Sequence, residues 1–327
     1  MLVTVAICTF NRSASLRETL QSLAGCAAVP HTELEVLIVD NNSTDDTAGV
    51  VREFMPTTTL EVKYLFEGAQ GLSNARNAAI HSARGEIISF IDDDVILPSN
   101  WLLELTNAFR QFDAACVGGR VFLAPTLQLP NWWRKEYDAP LGKFDRGDQT
   151  IVSDSTNREM IGIGANLSFR RVVFDKYGAF STTHGRTGTK LLMGEETELI
   201  DRLLDHGERA IYYPACFLYH SPGPQRATSS YLRRWYYRMG QWESTCNKSP
   251  TVTWFGIPRW VYGAALTGTF KLLASTLTLR SSLMRYSQFR LFFLAGYAVS
   301  AHSGPTYAPK VSKQSSEQQA NAQIRKP

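Results

Sequence analysis

Along the first third of the chain, runs of apolar and β-branched residues alternate with segments whose apolar positions recur every three to four residues. Positions 3–9 make the first run, closing on Phe10-Asn11-Arg12, and predict a buried strand. Ser15 and Glu18 follow at capping-box spacing, which predicts a helix. A second strand is expected over 34–39, ending at Asp40. The polar turn Asn41-Asn42-Ser43-Thr44-Asp45-Asp46 then enters a helix, with Ser43 and Asp46 at the same spacing. Further strands are expected over 61–65 and 86–91, and further helices over 73–83 and 100–112, the last packing through Trp101, Leu102, Leu105 and Phe109. This βαβαβαβα order predicts an α/β fold with an open, mostly parallel sheet flanked by helices. Ligands of such sheets sit outside the carboxyl ends of the strands, where the polar clusters after Thr9, Val39 and Ile91 fall.

Composition narrows the class without changing that picture. With 327 residues, 44% of them hydrophobic, the chain can bury an ample core as one large domain or a domain plus an appendage. Its cysteines, at 8, 26, 116, 216 and 246, show no CxxC spacing, so a disulfide framework or zinc knuckle is not expected and a reduced, cytoplasmic setting is. Met1 runs straight into Leu-Val-Thr-Val-Ala-Ile, without a basic flank or cleavage site, and reads as a strand rather than a targeting segment.

Charge does alter the picture. Residues 1–225 hold 20 Lys+Arg against 28 Asp+Glu, whereas 226–301 hold ten against one, Glu243. That basic block is also aromatic, with Trp235, Tyr236, Tyr237, Trp242, Trp254 and Trp260 among others. Long apolar runs between its charges favour a membrane surface over nucleic acid as the partner. The apolar stretches 254–270 and 272–279 are interrupted or bounded by Pro258, Arg259, Lys271 and Arg280. The stretch 291–301 falls short of the ~20 residues that a spanning helix needs. Helices lying on the membrane are expected, an ordinary packed subdomain being the alternative. The expected organisation is a catalytic domain over 1–225, a helical extension over 226–301 and a disordered tail over 302–327.

Neither a Rossmann fingerprint nor a P-loop follows the first strand. The sharpest chemistry is Asp92-Asp93-Asp94, directly after an apolar strand. Three adjacent carboxylates repel one another unless something positive lies among them, and a hard divalent cation carrying a diphosphate answers that need. A solvated acidic turn ahead of the helix after Pro98 is the other reading.

Six segments in order carry a resemblance: Thr9-Phe10-Asn11-Arg12; Val39-Asp40-Asn41-Asn42-Ser43-Thr44-Asp45; Gly71-Leu72-Ser73-Asn74-Ala75-Arg76-Asn77; Phe90-Ile91-Asp92-Asp93-Asp94; Gly194-Glu195-Glu196; and Tyr219-His220. Over roughly residues 1–225 the chain resembles the family 2 glycosyltransferases of bacterial polysaccharide biosynthesis, which have the GT-A fold. The resemblance implies inverting transfer of a sugar from a nucleotide-diphosphate donor to a hydroxyl of a lipid-linked or polysaccharide acceptor, with Mn²⁺ or Mg²⁺ as cofactor. It implies that Thr9, Asn11, Arg12, Asp40 and Asn42 hold base and ribose, that Arg76 meets the diphosphate, and that Asp92 and Asp93 contact ribose or sugar. Asp94 and His220 match the metal ligands. Glu195-Glu196 stands where the family usually has Glu-Asp, and Glu196 is taken as the base with Glu195 beside it.

Each residue also has a plainer role: a helix cap for Asp40, a surface cation for Arg76, a structural imidazole for His220, and an acidic first helical turn for Glu195, Glu196 and Glu198. On the acceptor side, Trp132, Trp133 and Asn166 are candidates, the indoles as exposed loop residues that stack on a sugar or equally as lid residues or membrane anchors. Gly118-Gly119-Arg120 is expected to allow close backbone approach, and 182–190 to form a lid. Polyprenyl-phosphate sugar synthesis and a silent nucleotide-sugar- or glycan-binding module are the alternative functions.

Overall fold

The computed structural model describes residues 1–182, 194–246, 252–279 and 281–303. The lid expected over 182–190 and the tail expected over 302–327 fall almost wholly outside the described residues. Those residues form two compact units, one drawn from 1–127, 141–182 and 194–222, the other from 128–140 and the described residues after 222.

The first unit is built on strands β1 (Leu2–Thr9), β2 (Glu33–Asp40), β3 (Glu61–Phe66), β4 (Ile87–Ile91), β5 (Val95–Ile96), β6 (Cys116–Leu123), β7 (Ile151–Ser153), β8 (Asn166–Arg170) and β9 (Ala210–His220). They make one sheet in the order β3-β2-β1-β4-β8-β6-β9-β5, with β7 on β9. Strands β1 to β4 run parallel, and β8 enters antiparallel between β4 and β6. Helices α1 (Ser13–Ala24), α2 (Thr47–Phe54), α3 (Leu72–Ser82), α4 (Trp101–Gln111), α5 (Val172–Tyr177) and α6 (Glu195–Asp205) flank it. Strands covered on both faces read as continuous apolar runs. This is why Val5, Ala6, Ile7, Val36, Leu37, Ile38, Ile88 and Phe90 are all buried.

Register brings the polar strand ends together. Thr9 pairs with Asp40 and Ile7 with Ile91, so the turns after β1, β2 and β4 lie side by side. Neither expected capping box forms, since α1 and α2 begin after Arg12 and Asp46 with no side-chain cap of their own. Asp45 takes the role across the turn instead: its carboxylate accepts from the N–H of Ser13 at 2.9 Å and of Thr47 at 3.1 Å. One acid thereby satisfies the starts of two helices.

The second unit carries α7 (Ser229–Cys246), a hairpin of β10 (Thr253–Trp254) and β11 (Ile257–Pro258), α8 (Arg259–Leu277) and α9 (Ser281–Ser303). Contrary to the expected breaks, α8 runs through Lys271, and 291–301 lies inside the 23 residues of α9. Two glycines let α7 and α9 touch backbone to backbone. A Cβ on Gly240 would lie 1.9 Å from the Phe293 carbonyl oxygen, and one on Gly296 1.9 Å from that of Tyr237. Tyr137, Tyr231, Leu232, Trp235 and Phe289 form an aromatic core against which Trp132 and Trp133 pack. No helix among the described residues is long and apolar enough to cross a membrane.

Candidate active site

The acidic triplet sits in the turn between β4 and β5, and the structure supplies the positive charge that three carboxylates require. Arg12 places Nη1 3.0 Å from Asp93 Oδ1 and also binds Asp94 Oδ2. Asp93 is pushed up to about 6 by burial, against the pull of Arg12. Pairing of Val95 with His220 across β5 and β9 brings the imidazole to the same turn. His220 Nε2 lies 2.9 Å from Asp94 Oδ1 and 3.8 Å from Asp92 Oδ2.

The other ring nitrogen, Nδ1, is 2.5 Å from the Leu141 carbonyl oxygen, an acceptor only, so Nδ1 carries the proton. Nε2 is thereby turned toward the two carboxylates, and as a neutral ring it would share a cation with them. Asp92, Asp94 and His220 each offer one ligand atom, all within 4.8 Å of one another. Two carboxylate oxygens and one imidazole nitrogen are a donor set that would suit Mn²⁺ or Mg²⁺. Gly142, at φ +84°, follows Leu141, and a Cβ there would lie 2.8 Å from His220 Nδ1. Only glycine fits that turn beneath the ring.

Beside this turn, Asp40 is buried with both oxygens engaged. Oδ1 accepts from the Ser43 N–H at 2.8 Å, and Oδ2 from the Tyr64 hydroxyl at 2.6 Å. Burial and Asp40 push the Tyr64 hydroxyl up to about 12, so it remains a donor. Asn11, at φ +52°, accepts from the Thr44 N–H at 2.7 Å and donates its own N–H to Ser43 Oγ. Asn42, exposed at φ +67°, turns the loop, while its neighbour Asn41 binds inward to Gly71 and Ala69.

Arg76, on α3, is 3% exposed, so it is not the surface cation of its plainer reading. Its Nη1 is 3.2 Å from Glu195 Oε1 and its Nη2 3.0 Å from Glu196 Oε1, so it faces the start of α6. Phe180 covers the guanidinium at 5.2 Å. Gly164 lies against this pair, for a Cβ there would come within 2.1 Å of Arg76 Nη2 and 2.2 Å of Glu196 Oε1. Burial raises the Glu196 pKa, but the Arg76 guanidinium and the hydrogen bonds to the carboxyl together outweigh it and hold the group below the ordinary glutamate value. The Glu195 side chain is 4% exposed and that of Glu196 20%, so Glu196 is the one of the two that an incoming group can reach.

The profile of glycosyl transferase family 2 matches residues 4–178, more than half of the chain and most of the elements just described. The chain belongs to this family. The succinoglycan biosynthesis protein ExoM of Rhizobium meliloti is 26% identical over 244 residues, 73% of each chain. The glucosyl-dolichyl phosphate glucuronosyltransferase of Haloferax volcanii is 28% identical over 216 residues, 65% of this chain and 66% of that one. Among solved structures, the mannosyltransferase PcManGT of Pyrobaculum calidifontis, in complex with GDP-Man and Mn²⁺, superposes with a TM-score of 0.61 at 18% identity, covering 91% of this chain and 86% of that one. The family 2 transferase described here therefore has the expected GT-A fold.

Three acceptor-side expectations need correction. Asn166 of this glycosyltransferase is 1% exposed; its amide accepts from Trp101 Nε1 and donates to the carbonyls of Arg120 and Cys216, knitting β8 to its neighbours. Gly118 and Gly119 lie inside β6, and what approaches them is the Ile161 backbone and the Asn166 amide rather than a ligand. Trp132 and Trp133 belong to the second unit's aromatic core, with Trp133 Nε1 bound to Asp138 at 2.9 Å and Arg285 lying 4.7 Å over Trp132. Proline-flanked loops carry no signal that tells a displayed indole from a packed one. Tyr64, Leu141 and Gly142 were the residues that motif reading missed, since each acts through a partner distant in sequence.

Proposed function

We propose that this glycosyltransferase moves a sugar with inversion from a nucleoside-diphosphate donor to a hydroxyl of a lipid-linked or polysaccharide acceptor, with a divalent metal as cofactor. The observation that carries this reading is the Asp92, Asp94, His220 cluster at the carboxyl end of a parallel sheet. A bound Mn²⁺ or Mg²⁺ would neutralise the departing diphosphate there. Arg12, at the same turn, would add positive charge toward that diphosphate. Asp40, fixed by Tyr64 and Ser43, keeps lone pairs for an N–H of the base, while Thr9, Asn11 and Asn42 shape the turn around the ribose. Asp92 and Asp93 remain the candidates for ribose or sugar contacts.

Direct displacement at the anomeric carbon needs one base to take the acceptor hydroxyl proton, and Glu196 is the accessible carboxylate for it. Glu195 and Arg76 hold it in position. Among the relatives, one is named for succinoglycan biosynthesis and one as a glucosyl-dolichyl phosphate glucuronosyltransferase, which supports an acceptor of this kind. The proposed setting is peripheral, on the cytoplasmic face of the cell membrane.

Thermal unfolding with a panel of nucleoside diphosphates, each with Mn²⁺, Mg²⁺ or excess chelator, tests the donor end. A ligand at a hundred times its Kd stabilises by about 2.7 kcal/mol. The expected result is a shift with one base, abolished by chelator and in Asp94→Ala. No shift with any nucleotide would overturn the donor-site reading.

A further inference from the structure

The exterior of α8 is the reverse of what a water-facing helix requires. Leu266, Phe270, Leu273 and Leu277 recur at i, i+4, i+7 and i+11, which aligns them in one stripe. They are 75%, 72%, 60% and 85% exposed. The buried positions Val261, Gly268 and Ser275, seven residues apart, define the opposite side, where Gly268 lies against Leu291 of α9. The helix has thus met its packing partner with one side and still shows leucine and phenylalanine on the other. The hairpin before it continues the feature. Phe255 is 86% exposed at φ +51°, a conformation bulky residues rarely adopt, with Trp254 and Trp260 half-exposed on either side. Exposed apolar side chains in this number mark an interaction site.

Charge selects the partner. Residues 252–303 contain five Lys+Arg and no Asp or Glu. Arg259 and Lys271 are exposed on α8 itself. A second copy meeting this face would set one uncompensated basic surface against another, whereas an anionic lipid surface receives both the apolar stripe and the cations beside it. No described helix, α8 included, is long and apolar enough to cross a bilayer, so contact with lipid would be made along the surface.

We propose that the outward stripe of α8, with the tip of the β10–β11 hairpin, docks this protein on anionic lipid bilayers, the side chains of Phe255, Leu266, Phe270 and Leu277 entering the acyl boundary and Arg259 and Lys271 meeting lipid phosphates. This surface is independent of the transfer reaction, so its test reads partitioning rather than activity.

The full chain is sedimented with vesicles of phosphatidylcholine alone and of phosphatidylcholine with phosphatidylglycerol. Binding is expected to the anionic vesicles and to weaken with salt. In Phe270→Gln/Leu277→Gln, which changes only exposed positions and should keep its Tm, binding is expected to fall about tenfold or more; Lys271→Glu should fall less. Failure of the wild type to bind anionic vesicles would overturn the proposal, as would equal binding by the double variant. A double variant that converts an oligomer to a monomer, in a protein indifferent to vesicles, would assign the face to a second copy instead.

Discussion

Among the described residues the cation at Glu196 is Arg76, which it shares with Glu195. Replacing Glu196 by Gln keeps the hydrogen bond from Arg76 and removes the proton acceptor. We expect kcat to fall by about 10²–10⁴, the usual contribution of a general base, while the metal-dependent nucleotide shift stays as in wild type. A Glu196→Gln variant with intact turnover would point to a phosphate acceptor, which needs less of a base. Arg76 makes a separate test. Burial alone would push the Glu196 carboxyl up, and the guanidinium is the foremost of the groups that hold it down. In Arg76→Gln the base therefore stays protonated to higher pH, and the acid limb of the kcat/KM profile moves upward. An unmoved limb would mean that another group titrates there.

Glu35, on β2, shows how one side chain ties elements together. It is fully buried and accepts from Thr4 Oγ1 on β1 at 2.7 Å, Lys63 Nζ on β3 at 2.7 Å and Arg84 Nε, after α3, at 2.8 Å. Burial raises its pKa, but these donors prevail and bring it from 4.5 to about 2. A depressed folded pKa stabilises fully above the unfolded value and loses that contribution as pH falls through the folded one. Wild type should therefore lose roughly 3 kcal/mol from this group between pH 4.5 and 2. Urea titrations should show a shallower acid slope for Glu35→Gln, together with lower stability at neutral pH. For α7 and α9 the deciding contact is steric: Gly240→Ala puts a methyl against the Phe293 carbonyl and should cost about 1–3 kcal/mol in the helical unit's unfolding. The parallel strands were legible because each is an unbroken apolar run between polar turns, and the Asp92-Asp93-Asp94 turn because charge crowding at a strand end is visible locally. The extents of α8 and α9 were not, since helices apolar on nearly every side lack a period to read. Neither was the capping by Asp45, nor the bond from His220 to Leu141, which joins residues 79 apart in the chain.

Across the whole molecule, charge and chain order divide the labour between the two units. The acid-rich part carries the carboxylates of the candidate site and is held by a sheet whose parallel strands come early and in sequence. The basic part is assembled differently, because Gln128–Pro140 belongs with helices that come far later. Trp132, Trp133 and Tyr137 wait for Tyr231, Leu232, Trp235 and finally Phe289 before their aromatic core is complete. At a synthesis rate of ~5–20 residues per second, the roughly 150 residues between Tyr137 and Phe289 amount to about 8–30 s on the ribosome. Throughout that interval three large rings on the nascent chain have no core to enter. The helical unit thus matures after the sheet, and a ribosome stalled near residue 222 would hold out a sticky aromatic loop that only the later helices conceal.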